Sequence, residues 1–240
     1  MSKQTINSVN IRHWLKNSNH PMARFIFRSA KRLRAFELTY PKVLSQVLYH
    51  LYKIVVNSIS AFFRIVWWTP LFKGRLRQYG KSTYLYGGLP YISGPLVIDI
   101  GNHCRISGQT TFSGRTASQT APELIIGDNV DVGWMTTIAV GSKVVLGNNV
   151  RIAGRAFLAG YPGHPIDAED RAQGLPDTDD QVGDIVLEDD VWLATGVSVM
   201  AGVTIGRGSI IAAGSVVTKD IPAGVLAAGI PAKVIKKKLL

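Results

Sequence analysis

The chain has 240 residues, 46% of them apolar, which is enough for one core domain and an appendage. Its single cysteine, Cys104, excludes an intramolecular disulfide, and no charged, apolar and small-residue leader opens the sequence, so a cytoplasmic location is expected. The net charge of +11 is all N-terminal: residues 1–95 carry 15 Lys and Arg against the lone acid Glu37, a balance of +14, whereas residues 96–240 carry 12 against 15 acids, a balance of −3.

An excess of this kind suits an anionic surface. Ser18, Asn19 and Pro21 read as a helix start, after which Met22, Phe25, Ile26, Leu33 and Phe36 fall near one helical face and Arg24, Arg28, Lys31 and Arg32 on another. Pro41 marks a break. A second run, from Val43 to Trp68, is far more apolar and ends at Pro70. His50, Lys53, Asn57, Ser58, Ser60 and Arg64 interrupt it, so a helix spanning a bilayer is not expected. Aromatic residues beside basic ones fit helices lying among lipid headgroups, with packing on the main domain or on a neighbouring subunit as the alternative. Residues 1–95 thus read as a basic, apolar helical extension whose first 72 residues meet an anionic membrane surface, peripherally on the inner membrane. Nucleic acid is not an expected partner, since no binding motif accompanies the charge.

From about residue 96 a period of six takes over. Ile100-Gly101-Asn102-His103-Cys104-Arg105 is followed by a hexad from Ile106, and further pairs start at Ile126 and Leu146. The longest run steps through Leu187, Leu193, Val199, Ile205, Ile211 and Val217 without slipping. Each hexad makes one short strand and one turn, neither of which buries its apolar face alone. The aliphatic residue at the first place and the small or β-branched residue at the fifth point inward, and Cys104 at a fifth place reads as a small core residue. Three hexads close one triangular coil, and stacked coils bury a continuous core. A β-helix is expected over residues 96–222, with an inserted loop at 161–184 and a C-terminal tail at 223–240.

The repeat resembles that of the hexapeptide-repeat acyltransferases, a resemblance that implies a mainly β, left-handed parallel β-helix. The inserted loop, with Tyr161-Pro162-Gly163-His164-Pro165-Ile166-Asp167 followed by Arg171 and Gly174, looks like the extended loop of galactoside, maltose and xenobiotic acetyltransferases, where such a Gly-His-Pro segment carries the catalytic histidine. The likeness continues through Val191-Trp192, the segment from Gly214 to Pro222, and the segment from Ala228 to Ile235. It implies an acetyl-CoA-dependent O-acetyltransferase. A hydroxyl is a poor nucleophile until its proton is removed, and histidine, which titrates near 6.5, suits that task, so the resemblance makes His164 the general base in a direct transfer.

Carried over residue by residue, the resemblance puts Trp192, Thr195, Ala213, Thr218, Lys219, Lys233 and Lys236 along CoA, and Trp134 and Asp167 on the acceptor side. At acceptor positions where galactoside enzymes have Asn and Asp this chain has Gly133 and Gly141, so a simple galactoside is not the expected acceptor. The resemblance also implies a homotrimer with its cleft between neighbouring subunits. Together with the membrane-friendly N-terminus it points to a bacterial surface polysaccharide or its lipid-linked precursor as the carbohydrate acceptor. An antibiotic, a free sugar or an amino sugar nucleotide is the alternative acceptor, and a non-catalytic trimeric scaffold is the alternative of another class. No metal is expected: a zinc hydratase of this fold needs three histidines, and the repeat holds only His103 and His164.

Overall fold

The computed structural model describes residues 8–237, so the first seven residues of the expected extension and the last three of the expected tail lie outside the described residues. The chain divides into two compact units, Met1–Val55 and Val56–Leu240.

Helices α1 (Ser8–Asn17) and α2 (Pro21–Arg34) belong to the first unit. Pro21 sits where a missing N–H costs nothing, and the His20 ring caps α2 by accepting from the Met22 N–H at 3.3 Å. The apolar side chains Met22, Phe25, Leu33 and Phe36 are exposed. Helix α3 (Lys42–Phe63) continues through a π-helical turn, Arg64–Trp68, into α4 (Thr69–Gly74). The expected stop at Pro70 is therefore replaced by a continuous run. Proline removes one backbone donor and crowds the preceding turn, and the wider π turn just before it absorbs both effects. The resulting helix, Lys42–Gly74, is by length and composition long and apolar enough to cross a membrane, which the sequence reading did not expect. Gln46, His50, Lys53, Asn57, Ser60 and Arg64 recur at three- and four-residue steps and so form one stripe along a helix whose remaining residues are mostly apolar.

The second unit is a left-handed parallel β-helix. Its six coils are β1 (Gln78–Tyr79), β2 (Tyr84–Tyr86) and β3 (Tyr91–Ser93); β4 (Val97–Ile100), β5 (Arg105–Ser107) and β6 (Thr111–Gly114); β7 (Glu123–Ile126), β8 (Asp131–Val132) and β9 (Thr137–Val140); β10 (Lys143–Leu146), β11 (Arg151–Ile152) and β12 (Phe157–Ala159); β13 (Ile185–Leu187), β14 (Trp192–Leu193) and β15 (Ser198–Met200); β16 (Thr204–Ile205), β17 (Ile210–Ile211) and β18 (Val216–Val217). The first strands of the coils stack in register as sheet A, the second strands as sheet B and the third as sheet C. First-place residues such as Ile106, Leu187 and Val217 and fifth-place residues such as Cys104, Val150 and Val197 are completely buried in one continuous core.

The β-helix begins at Gln78 rather than near residue 96. Its first coil is covered by helix rather than by another coil, so its buried residues need not follow the hexad. Phe72 of α4 is only 1% exposed and joins the core, with Trp68 and Leu76 packed against it. At the other end the expected tail forms a hairpin, β19 (Val225–Gly229) and β20 (Ala232–Lys237), that extends sheet B beyond β17 and buries Ala227. Both open ends of the core are thus plugged.

The corner between sheets A and B explains the third and fourth places of the hexad. The Asp128 N–H donates to the Asn148 carboxamide oxygen at 2.8 Å, and the Asn148 N–H to the Asp189 carboxylate at 2.8 Å, so each third-place side chain caps the coil before it. Fourth-place residues Asn129, Asn149 and Asp190 hold φ near +55 to +64°, the left-handed region that Asn and Asp tolerate. The second-place Gly147 is required by packing, since a Cβ there would lie 2.6 Å from the Asp189 backbone nitrogen. Replacing Asn149 by Val should cost about 1–2 kcal/mol, whereas Asn149→Gly should cost a few tenths at most. Equal melting temperatures for the two variants would contradict this account of the corner.

Candidate active site

The inserted loop leaves β12 at the corner between sheets C and A and returns to β13. His164 is exposed on it, one residue after Gly163, whose φ of +80° lets the chain turn outward. Beyond it Asp167 caps the short helix α5 (Ala168–Ala172), its Oδ1 accepting from the N–H groups of Glu169 at 2.8 Å and Asp170 at 3.0 Å. One carboxylate oxygen of this acceptor-side candidate is thus committed to local structure. Arg171 on α5 donates back to the carbonyls of Pro165, at 3.0 Å, and Ile166, which fixes the segment directly after His164.

The loop is tied to the coil two turns below by residues that sequence reasoning did not single out. At its entry the Tyr161 hydroxyl lies 3.3 Å from Ser113 Oγ. At its exit Arg115 donates from Nε to Asp177 Oδ2 at 2.9 Å, from Nη2 to the Asp177 carbonyl at 2.7 Å and from Nη1 to Asp179 Oδ1 at 2.6 Å. The Arg115 and Asp177 side chains are each 5% exposed. Burial opposes the charge on Arg115, but hydrogen bonds and attraction from Asp179 and Asp177 overcome it, so its pKa rises. A sequence signal for this clamp exists in hindsight: residues 115–122 form a second, shorter interruption of the hexads, at the same corner as the loop.

The remaining candidates occupy other places. Trp134, Trp192 and Thr195 line one open cleft of about 320 Å³ together with Asp131, Arg151 and Gly154. It lies on sheet B and its corner with sheet C, and no residue of the inserted loop lines it. Ala213 belongs to the next coil of that corner, where the Gly214 N–H donates to the Thr195 carbonyl at 2.9 Å. Thr218 and Lys219 follow β18 at the corner between sheets C and A, the one that emits the loop. Lys233 and Lys236 are exposed on β20. Within one chain, then, the histidine and the aromatic cleft stand on two different edges of the prism.

Gly133 and Gly141 have packing reasons of their own. A Cβ on Gly133 would sit 2.6 Å from the Gly154 backbone nitrogen and 2.7 Å from the Ala153 carbonyl carbon, and one on Gly141 would strike the Gly160 backbone oxygen. No side chain fits either place without separating two coils. Among the described residues, no group of three His, Cys, Asp or Glu side chains is placed to hold a metal ion.

Comparison with known proteins fits this architecture. The model for bacterial transferase hexapeptide (six repeats) matches residues 184–219. The chain carries a transferase-type hexapeptide repeat. It is 47% identical over 114 residues, 48% of its length, to a putative acetyltransferase of Saccharomyces cerevisiae, YJL218W, of which the match covers 56%. It is 41% identical over 121 residues, again 48% of its length, to a polysialic acid O-acetyltransferase of Escherichia coli, of which the match covers 38%. The chain thus spans about half or less of the length of these curated relatives. A solved structure of AntD, an N-acyltransferase from Bacillus cereus in complex with dTDP-4-amino-4,6-dideoxyglucose and coenzyme A, shares the fold. Its TM-score is 0.59 at 20% identity, over 72% of this chain and 89% of AntD.

Replacing Arg115 by Met would leave the Asp177 carboxylate buried without its partner, at a cost of about 3–5 kcal/mol that the loop escapes by opening. Limited proteolysis should then nick residues 161–184 faster than in the wild type, while the coils melt at nearly the same temperature. Unchanged cleavage would mean that the clamp does not hold the loop.

Proposed function

We propose that the chain is an acetyl-CoA-dependent O-acetyltransferase whose general base is His164 and whose acceptor is a hydroxyl of a bacterial surface polysaccharide or of its lipid-linked precursor. The observation that carries the reading is the exposed His164 on a loop clamped to a rigid β-helix, in a chain similar to named acetyltransferases over about half its length. The thioester of acetyl-CoA supplies the activated acyl group. His164 takes the acceptor hydroxyl's proton on a ring nitrogen as the oxygen attacks, and gives it up at the departing sulfur.

The chemistry of the proposed CoA contacts suits the cosubstrate. Lys219, Lys233 and Lys236 offer point charges for its phosphates, and Ala213 and Gly214 leave room for a thin pantetheine arm against the backbone. Because His164 and the aromatic cleft occupy different edges of the chain, the reading requires a second copy to bring them together, as in the expected trimer. Replacing His164 by Ala should lower kcat for thiol release in the presence of acceptor by about a hundredfold or more, with CoA binding nearly unchanged. Turnover within a few-fold of wild type would remove His164 from the mechanism.

The N-terminal helices serve, in this reading, to hold the enzyme at an anionic membrane surface where lipid-linked glycans are assembled. Arg24, Arg28 and Arg32 repeat every four residues of α2 and line a cavity of about 390 Å³ beside Phe25, a setting for headgroup phosphates next to acyl chains. The apolar sides of α3 add area, while its polar stripe from Asn57 to Arg64 is turned to the β-helix, where these residues share a cleft with Tyr84 and Tyr86. Changing Arg24, Arg28, Lys31 and Arg32 together to Gln should weaken sedimentation with phosphatidylserine vesicles by on the order of a hundredfold or more, at about 1 kcal/mol for each basic residue. Equal sedimentation of variant and wild type would refute membrane attachment through α2. Truncation is a poorer test unless it stops near residue 55, since Phe72 plugs the core.

A further inference from the structure

One face of the β-helix carries more chemistry than the catalytic reading uses. On sheet B the outward positions of successive coils stand side by side in register, Tyr84 beside Arg105, Arg105 beside Asp131, Asp131 beside Arg151 and Arg151 beside Trp192. At the usual strand spacing this row runs for about 20 Å along the axis, longer than any single sugar ring. The Arg64 guanidinium lies 4.6 Å from the centre of the Tyr84 ring, Arg105 5.6 Å from that of Tyr86, and Arg155 5.2 Å from that of Trp134. Two clefts meet at Tyr86: the one of about 320 Å³ that holds Trp134 and Trp192, and one of about 400 Å³ that reaches Arg64.

A guanidinium stacked on an aromatic ring is held flat with its in-plane N–H donors aimed sideways, free to grip a planar carboxylate in two places. Among the described residues Arg105 is paired with Asp131 at 3.3 Å and Arg151 donates from Nη1 to the Asn129 and Val150 carbonyls, while Arg64, Arg151 and Arg155 have no carboxylate partner. The face therefore presents an excess of guanidinium over its one carboxylate, Arg64 and Arg155 having no hydrogen-bond partner among the described residues, beside the exposed rings of Tyr84, Trp134 and Trp192 and the half-buried ring of Tyr86, of the kind that cover the apolar faces of sugars. Neutral sugars would use the rings and leave the arginines idle.

We infer that this face binds an acidic oligosaccharide, several rings long and carrying carboxylates, and that the acceptor of the proposed transfer is for this reason an anionic glycan. The identity of this ligand as the acceptor rests on the acetyltransferase reading; the binding itself does not. The glycan lies along the row with sugar rings in the cleft that Tyr86 and Trp134 line and carboxylates at Arg105 and Arg155, reaching toward the helix end at Arg64.

The test measures binding of the full-length protein, without acetyl-CoA, to three probes: hexagalacturonate, its carboxyl-reduced neutral counterpart, and a linear hexaphosphate. The expected result is that hexagalacturonate binds at least about tenfold more tightly than either other probe. Changing Arg105 and Arg155 together to Gln should erase most of that advantage and leave the neutral probe's affinity as it was, whereas Tyr86→Ala should weaken both sugars alike. Equal binding of acidic and neutral sugars, an undiminished preference in the double variant, or hexaphosphate binding as tight as hexagalacturonate would overturn the inference. So would a changed oligomeric mass of the double variant in light scattering, which would assign these arginines to contacts between copies. A lack of thiol release with every acceptor tried would defeat the transfer reading and leave this binding result standing.

Discussion

Strands of two to four residues cannot bury a side chain by themselves, so the stability of this molecule depends on the in-register parallel pairing of each coil with the next. The pairing lines up identical positions of successive hexads, and every ladder in the structure follows from it: the aliphatic ladders inside, the Asn and Asp ladder at one corner, and the row of arginines and aromatic rings outside. It also sets the tolerance for error. An extra residue within a coil would turn inward-facing residues outward, so additional chain is accommodated only at corners, and both interruptions of the repeat, residues 115–122 and 161–184, occur at the same one.

That shared corner explains how a long loop is held in place. A surface loop pays conformational entropy for any fixed shape, and the usual exposed contacts contribute little against it. Here the ends of the loop are met by groups on the coil two turns away, the Ser113 hydroxyl, which meets Tyr161 at the entry, and the buried Arg115, which holds Asp177 at the exit. The buried carboxylate of Asp177 is tolerable only with Arg115 beside it, which gives the loop one strongly preferred position. Exposed His164 has no such fixing of its own. Its placement comes from the Arg171 hydrogen bonds to the two carbonyls that follow and from the clamp beyond.

The β-helix was legible because the hexad repeats the same physical demand many times, and Cys104, Val150 and Leu187 sit inside as their places required. The first coil was not, because on its outer side helix rather than another coil covers it: Leu85 and Ile92 pair with the second coil on one side only, and Phe72 closes the core on the other. Pro70 misled for a related reason: a local rule about proline was overridden by a π turn. At the site, His164 and Trp192 could be named from motifs, since a motif is a local pattern. Arg115 could not, because its partners lie 62 and 64 residues away, and the break in the hexads at 115–122 marks the corner without naming the partners. Gly133 and Gly141 were read as lost acceptor contacts, yet each is a place where neighbouring backbone leaves no room for a Cβ, so they report on coil packing before they report on substrate.

The partition of candidates between two edges constrains any mechanism more than the identity of the acceptor does. A coil stack is stiff, since each strand is hydrogen-bonded on both sides and the interior is closely packed, and it does not bend to bring one edge to another. His164 on the edge between sheets C and A and the Trp134–Trp192 cleft on the edge between sheets B and C are therefore separated by the full width of sheet C in a single chain. A reaction that used both would have to unite one edge of one copy with a different edge of the next. That is a head-to-tail contact, which closes only as a ring, and the proposed trimer would be such a ring. In the proposed transfer the same geometry would leave sheet B, with its arginine row, running from the cleft toward the helical end of each copy, the direction along which a long acceptor would extend.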